Sequence, residues 1–200
     1  MKLRTLALVL AIGSVCVAAR GQAGVYLTFN AQQFTQEGIY VNPGTHTNID
    51  KPWLFGPGYG VYYNLSRLPY LGALKTGPFV IGIDGRGETL RLSEYGSQLD
   101  RQDGLFSLRV STKKPFMKTT PYLQGGFGIG HTRIPFQAHY QNNFIYQFGI
   151  GADRKISRHF DWRVEGNAGF LGSYTVGAGP GPNQSNYLVT VDTGVVYRFR

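Results

Sequence analysis

Charged residues recur at a spacing of two in several stretches of this sequence. Arg163 and Glu165 stand two apart, and Asp84, Arg86 and Glu88 repeat that spacing. In an extended strand, residues two apart point to the same face, so each acid would lie beside a base. Neighbouring opposite charges form ion pairs and hydrogen bonds, whereas a buried unpaired charge is costly. The charged face therefore predicts an enclosed ion-pair network of Asp84, Arg86, Glu88, Arg109, Arg163, Glu165, Asp192 and Arg198.

Residues suited to nucleophilic catalysis are few. His131 is followed by Thr132, and His139, Ser93 and Ser173 fall in regions between predicted strands. An activated nucleophile needs a general base within hydrogen-bonding reach, and the sequence contains no Gly-x-Ser-x-Gly motif. We therefore predict no catalytic site and expect that the protein is not an enzyme.

Metal, cofactor and nucleic-acid sites are not indicated either. The single cysteine, Cys16, lies near the start of the chain, and no cluster of His and Cys suggests a metal. The glycine-rich stretches Gly82–Gly87 and Gly125–Gly130 open no predicted helix, so neither is a phosphate-binding loop. The formal net charge of +9 is not concentrated in a basic stripe, so we expect no nucleic-acid partner.

The elements that would position the charges are β-strands. Polar or small residues alternate with apolar ones over eight segments, and no segment after the N-terminal stretch has a helical period. Proline within the second segment, at Pro57, is unfavourable for a central strand. Polar loops are expected at 37–51, 93–103 and 133–142. The eight predicted strands begin at Gly24, Trp53, Pro78, Leu105, Thr120, Asn143, Phe160 and Tyr187.

The first 23 residues have the features of a secretory signal peptide. A basic start at Lys2 and Arg4 precedes an apolar run, and Gly21-Gln22-Ala23 fits a small-x-small cleavage site. We predict cleavage after Ala23, which leaves residues 24–200 as one domain and lowers the formal charge from +9 to +6. The remaining chain would contain no cysteine and therefore no disulfide.

Two patterns favour a membrane barrel over a secreted β-sandwich. Strand charges share one face, as a lipid-facing surface requires, although an amphipathic sheet with a solvated face would show the same pattern. The connectors also alternate in charge: the three turns on one side sum to +8, and the four loops on the other side sum to −2. A sandwich has no reason to sort charge by connector, whereas a protein with two different sides does.

Three stretches resemble small bacterial outer-membrane β-barrels of the OmpA/OmpX type: Pro121–Gly130, Gln147–Asp153 and Gly194–Phe199. The resemblance implies an eight-stranded antiparallel up-and-down transmembrane β-barrel in the bacterial outer membrane. It also implies that the aromatic ending, Tyr197 and Phe199, is the signal for the barrel-assembly machinery, although Arg200 follows it. The partners expected are the outer-membrane bilayer and that machinery, and the barrel is expected to be a monomer.

The expected role is structural or surface-interacting, with a lumen closed by side chains. A charge network in a narrow lumen could instead provide a path for ions or small solutes. Members of the resembled class that modify lipids use serine and histidine at the extracellular end, which leaves a lipid-modifying enzyme as a further alternative. The inward side chains expected to fill the lumen are Tyr26, Phe34, Tyr62, Tyr122, Ile145 and Leu188.

Overall fold

A computed structural model describes residues 23–34, 39–42, 47–49, 53–65, 77–94, 97–133, 140–174 and 186–199. The predicted signal peptide lies outside these residues except for Ala23, which begins the first strand. Across the described ranges, no helix is both long and apolar enough to cross a membrane.

Eight antiparallel strands close into one barrel, as the alternation predicted. The neighbours around the barrel are β1, β10, β9, β8, β7, β6, β5 and β4, and β2 and β3 pair with each other in a separate hairpin. The strands are β1 (Ala23–Phe34), β2 (Ile39–Asn42), β3 (Thr47–Ile49), β4 (Trp53–Asn64), β5 (Phe79–Glu94), β6 (Ser97–Thr112), β7 (Thr119–Arg133), β8 (Tyr140–Lys155), β9 (Phe160–Tyr174) and β10 (Asn186–Arg198).

The strand register fixes the width of the barrel. Cross-strand partners followed once around the barrel from Trp53 return to the same strand at Tyr63, ten residues further along. For eight strands, this stagger implies a tilt of about 40° and a backbone radius of about 8 Å. Such a barrel is just wide enough for its own side chains to fill.

Side chains alternate between the lumen and the outer face along every barrel strand. On β10, Val189, Val191 and Val195 are exposed, whereas Thr190 and Asp192 are buried. The shortest barrel strands have 12 residues, and at this tilt they rise about 30 Å along the axis. An apolar outer face of that height matches the hydrocarbon core of a bilayer.

The main error in the predicted strands concerns the segment expected to be the loop 93–103. β5 and β6 instead form a long hairpin in which Glu94 pairs with Ser97. Arg101 and Asp103 therefore lie in the lumen, where both are buried. Glu94 and Asp100, which were also counted in the predicted loop, lie in these strands as well, and the connection itself is residues 95–96. The sequence did not indicate this part of β6, because near the loop both faces of the strand are hydrophilic. No alternation of polar and apolar residues therefore marks it as a strand.

Three other expectations change in detail. β4 runs through Pro57, which pairs with Phe29 of β1, while the register on the β5 side has a gap between Phe55 and Gly58. β8 begins at Tyr140, inside the expected loop 133–142. The expected loop 37–51 contains the β2–β3 hairpin.

The turn end of the barrel, where β1 begins and β10 ends, is basic. Exposed side chains near the two described turns are Lys113, Lys114, Lys118, Arg154, Lys155 and Arg158. Arg67 and Lys75, in the third predicted turn, lie outside the described residues.

Candidate functional site

The lumen gathers the charged residues that share a strand face. Seven members of the predicted network are buried there, and Arg198 lies at the turn end with its side chain 26% exposed. Alternation alone explains their direction: Asp84, Arg86 and Glu88 occupy successive inward positions of β5, and Arg163 and Glu165 those of β9.

Arg86 is the centre of the upper part of the network. Its Nη1 atom lies 2.6 Å from Oε1 of Glu165, 3.5 Å from Oδ2 of Asp192 and 3.8 Å from Oε1 of Glu88. One guanidinium nitrogen thus has three carboxylates around it. Asn167 connects two of them, since its Nδ2 donates to Glu165 at 2.7 Å and to Asp192 at 2.8 Å.

Asp153 is the centre of the lower part, nearer the turn end. Its Oδ2 accepts from Nη2 of Arg109 at 2.6 Å, and its Oδ1 accepts from Nε of Arg163 at 2.9 Å. Arg198 lies 3.6 Å away and also pairs with Asp161. Asp153 and Asp161 lie on the predicted charged face but were not part of the predicted network. One fully enclosed carboxylate therefore holds three arginines together.

Two tyrosines, Tyr26 and Tyr122, line the same level and do more than fill space. The hydroxyl of Tyr26 donates to Asp84 at 2.6 Å, and the hydroxyl of Tyr122 donates to Glu165 at 2.6 Å. The Arg109 guanidinium carbon lies 3.6 Å from the centre of the Tyr122 ring, and the Arg163 carbon lies 4.1 Å from that of Tyr26. Cation–π contacts thus add to the ion pairs that fix both arginines.

An aliphatic layer fills the lumen toward the loop end. Leu54 and Leu90 are fully enclosed, and the layer is formed by Leu54, Leu90, Leu92, Leu99, Leu105, Ile145, Leu171 and Leu188. Arg101 sits at this end of the lumen and donates to Asp103 at 2.8 Å and to Thr132 at 3.2 Å. The side chain of Phe34, expected to point inward, lies outside those described.

Acidic side chains outnumber basic ones in the described lumen. Seven carboxylates face inward, against five guanidinium groups, those of Arg86, Arg101, Arg109, Arg163 and Arg198. Glu88 is the least compensated acid, because neither of its oxygens accepts a hydrogen bond from the described part of the chain. The interior therefore favours cations over anions.

His131 and Thr132, the catalytic candidates whose side chains the structure describes, do not come together. His131 is exposed on the outer face and contacts Asn142, whereas Thr132 points into the lumen toward Arg101. His139 and the side chains of Ser93 and Ser173 lie outside the described residues. Among the side chains that are described, no group of three His, Cys, Asp or Glu residues could hold a metal ion.

The aromatic residues at the end of β10 form one outer cluster. Tyr197 packs edge-on against Phe160 at 5.3 Å and against Phe199 at 5.3 Å between ring centres. This cluster lies at the turn end, where an aromatic belt meets a membrane interface.

The sequence alone did not identify Asp153 as the common partner of three arginines. Its phase on β8 placed it on the charged face, but which arginines meet it depends on the stagger between β6, β8, β9 and β10. Arg101 and Asp103 could have been found by extending the period of two beyond Leu105.

No protein-family model and no curated protein matches the sequence. Among solved structures, Neisserial surface protein A is similar with a TM-score of 0.55 and 11% identity, covering 88% of this chain and 97% of that one. The N-terminal β-barrel domain of Pseudomonas aeruginosa OprF gives a TM-score of 0.46 at 10% identity, covering 89% and 100%. Ail of Yersinia pestis, solved with the heparin analogue sucrose octasulfate, gives 0.47 at 14% identity, covering 90% and 99%. From its closed topology and the first of these similarities, the chain has the fold of the small bacterial outer-membrane β-barrels.

Proposed function

We propose that this protein is a structural or surface-interacting barrel of the bacterial outer membrane, with a lumen closed by its own side chains. The observation that carries this proposal is the filled interior. The aliphatic layer lies across the loop end and the ion-pair network lies below it, and both support a closed lumen. An eight-stranded barrel has no space left for a wide pore once its inward side chains are large.

The proposed orientation places both chain ends in the periplasm and the four connections β1–β4, β5–β6, β7–β8 and β9–β10 outside. The basic turn end and the less basic loop end support two chemically different sides. The closed strand order leaves no free barrel edge to pair with another chain, which supports a monomer. We propose the bilayer and, during biogenesis, the barrel-assembly machinery as its partners.

A non-enzymatic role is part of this proposal. The best candidate pair, His131 and Thr132, points to opposite sides of the barrel wall, so the imidazole cannot act as a base for that hydroxyl.

Conductance of the refolded protein in a planar bilayer tests the closed lumen. We expect no steady ion current from the unaltered protein. Replacing Leu54 and Leu90 together by alanine removes two fully enclosed side chains of the aliphatic layer and should introduce current. Replacing Leu108, an exposed outer-face residue, by alanine is the matched control and should not. A steady current from the unaltered protein would rule out the closed lumen.

A narrow path for cations is the second candidate function. The position of Arg86 favours it, because one guanidinium among three carboxylates could exchange partners and open a gap. The excess of inward carboxylates would make such a path cation-selective. If the unaltered protein conducts, Glu88→Gln should reduce the preference for potassium over chloride. Asp100→Asn changes a carboxylate near the loop end instead and should leave the preference unchanged.

A further inference from the structure

The turn end of the barrel presents a surface that is distinct from the lumen and from the lipid-facing wall. It consists of residues 113–118, between β6 and β7, and residues 154–159, from the end of β8 to the start of β9. The two turns are joined, because the backbone amide of Lys155 donates to the carbonyl of Lys118 at 2.9 Å. They therefore form one preformed surface, which we call the turn surface.

The first turn has a backbone conformation that its residues do not favour. Phe116 and Thr119 exchange both backbone hydrogen bonds at 2.8 Å, so Met117 and Lys118 form the loop of a two-residue hairpin. Both have positive φ, 47° for Met117 and 65° for Lys118. A type I′ turn requires this, and Asn-Gly adopts it readily, whereas methionine and lysine do so with strain. A strained backbone at an exposed turn points to a use for its two side chains.

Three apolar side chains of the turn surface are open to water. Met117 is 79% exposed and Phe116 72%, against 70% for Leu27, the most exposed large apolar residue among those described on the lipid-facing wall. Ile156, in the second turn, is 65% exposed. Single apolar residues are common on protein surfaces, but these three lie within two residues of the hydrogen bond that joins the turns.

These apolar residues lie on the water side of the charges that end the lipid-facing wall. On β8 the outward positions run from Ile150 to the cation Arg154, and Ile156 follows beyond it. After β6, Lys114 likewise precedes Phe116. A residue that anchors a barrel in lipid lies on the hydrocarbon side of such charges or within the aromatic belt. Contact with the membrane therefore does not account for the exposed apolar side chains.

The turn surface is cationic, and its sequence contains no acid. None of its cations forms an ion pair with a described side chain. The nearest acids along the chain, Asp153 and Asp161, are buried and paired with arginines of the lumen. A complementary partner would therefore supply carboxylates together with apolar groups. The exposed cations are Lys113, Lys114, Lys118, Arg154, Lys155 and Arg158.

We propose that the turn surface binds an acidic segment of another protein, whose carboxylates pair with the cations and whose apolar side chains pack on Phe116, Met117 and Ile156. The mixture of groups favours a protein partner, because a polyanion without apolar groups would leave these three side chains in water. This proposal rests on the orientation proposed above, which places the turn surface in the periplasm. The partner would be a periplasmic protein or the periplasmic part of an envelope protein.

Fluorescence anisotropy of labelled peptides tests this binding with the full chain refolded in nanodiscs of uncharged lipid. The probe is a short peptide of mixed glutamate and leucine, and the control peptide has serine in place of leucine. We expect the leucine peptide to bind about ten-fold more tightly, the effect of an apolar anchor in an interface. Equal binding of the two peptides would assign the surface to polyanions in general and overturn the proposal. Nanodiscs without protein give the background.

The strained turn provides a variant that separates binding from stability. The double variant Met117→Asn with Lys118→Gly fits a type I′ turn and removes one apolar side chain and one charge. It should weaken binding of the leucine peptide about ten-fold, while the urea midpoint of unfolding rises. Arg133→Gln, which changes an exposed arginine at the loop end, is the control and should leave binding unchanged. Equal binding by the double variant and the unaltered protein would overturn the proposal.

A contact of the turn surface with lipid is tested separately. Met117→Cys and Leu27→Cys are each labelled with a fluorophore and placed in nanodiscs that carry nitroxide lipids. The label at Leu27, on the lipid-facing wall, should be quenched, and the label at Met117 should not. Equal quenching would place the turn surface in the lipid interface and overturn the proposed protein partner.

Failure of the turn surface to bind is distinguishable from failure of the proposed function. Boiled and unboiled samples of each variant are compared by SDS gel mobility, which reports barrel closure without a peptide. Absence of peptide binding with the mobility shift retained refutes the docking surface alone. Absence of the shift in the unaltered protein refutes the membrane barrel itself.

Discussion

Replacing Asp153 by asparagine removes one buried charge while it preserves the shape of the side chain. The carboxylate accepts hydrogen bonds from Arg109 at 2.6 Å and Arg163 at 2.9 Å, and Arg198 lies 3.6 Å away. Asparagine offers one acceptor oxygen and no charge, so these arginines lose their common counter-ion. Breaking a buried pair from one side costs about 3–5 kcal/mol, because the partner charge stays buried without compensation.

Asp100→Asn is the matched control, because it changes the same chemical group in an exposed ion pair. Arg91, its partner, is 61% exposed, and exposed pairs contribute about 0–1 kcal/mol. We therefore expect Asp153→Asn to lower the free energy of unfolding by at least about 2 kcal/mol more than Asp100→Asn does.

Urea unfolding of the protein in lipid vesicles measures both variants. Fluorescence of Trp53 and Trp162 reports the transition, since both side chains lie on the outer face and exchange lipid for water on unfolding. Two variants that differ by less than about 1 kcal/mol would refute the assignment of Asp153 as the charge that holds the network together. If the loss in free energy of unfolding arises because buried arginines are left without a counter-ion, adding Arg109→Met to Asp153→Asn should recover part of that loss.

Three further changes probe the wall, the network and assembly. Val191→Arg places a charge on the outer face mid-strand and should cost about 2–4 kcal/mol in the same unfolding assay, whereas Tyr187→Arg, nearer the loop end, should cost about 0–1 kcal/mol. If Tyr187→Arg cost more than Val191→Arg, the depths assigned to these two residues in the membrane would be wrong. Tyr122→Phe removes the hydroxyl bound to Glu165 and preserves the ring, so a loss of about 1–3 kcal/mol is expected, and no loss would show that Glu165 is satisfied without it. Phe199→Ser should lower the amount of heat-modifiable barrel in the outer membrane; an unchanged amount would remove the C-terminal assembly signal.

A period of two over eight segments was enough to predict the barrel strands and the side to which most of their side chains point. The charge of the connectors and the resemblance to small outer-membrane barrels were needed to favour a closed barrel over a sandwich. Alternation suffices for the strands because it is a property of the single strand and needs no partner. The ends of strands were less predictable, because near the loop end of β6 both faces are polar and no contrast marks the boundary. Arg101 and Asp103 were therefore assigned to a loop.

Which inward residues meet was decided only by the tertiary structure. Asp153 and Arg163 are near neighbours in sequence, but Arg86 and Glu165 are 79 residues apart and touch because of the ten-residue stagger of the closed barrel. The same closure places leucines from distant strands in one aliphatic layer and sets Gly87 opposite Gly104 on the outer face. The sequence by itself determined which side of the wall most strand residues face. The register of the eight strands, a collective property of the closed sheet, decided their neighbours.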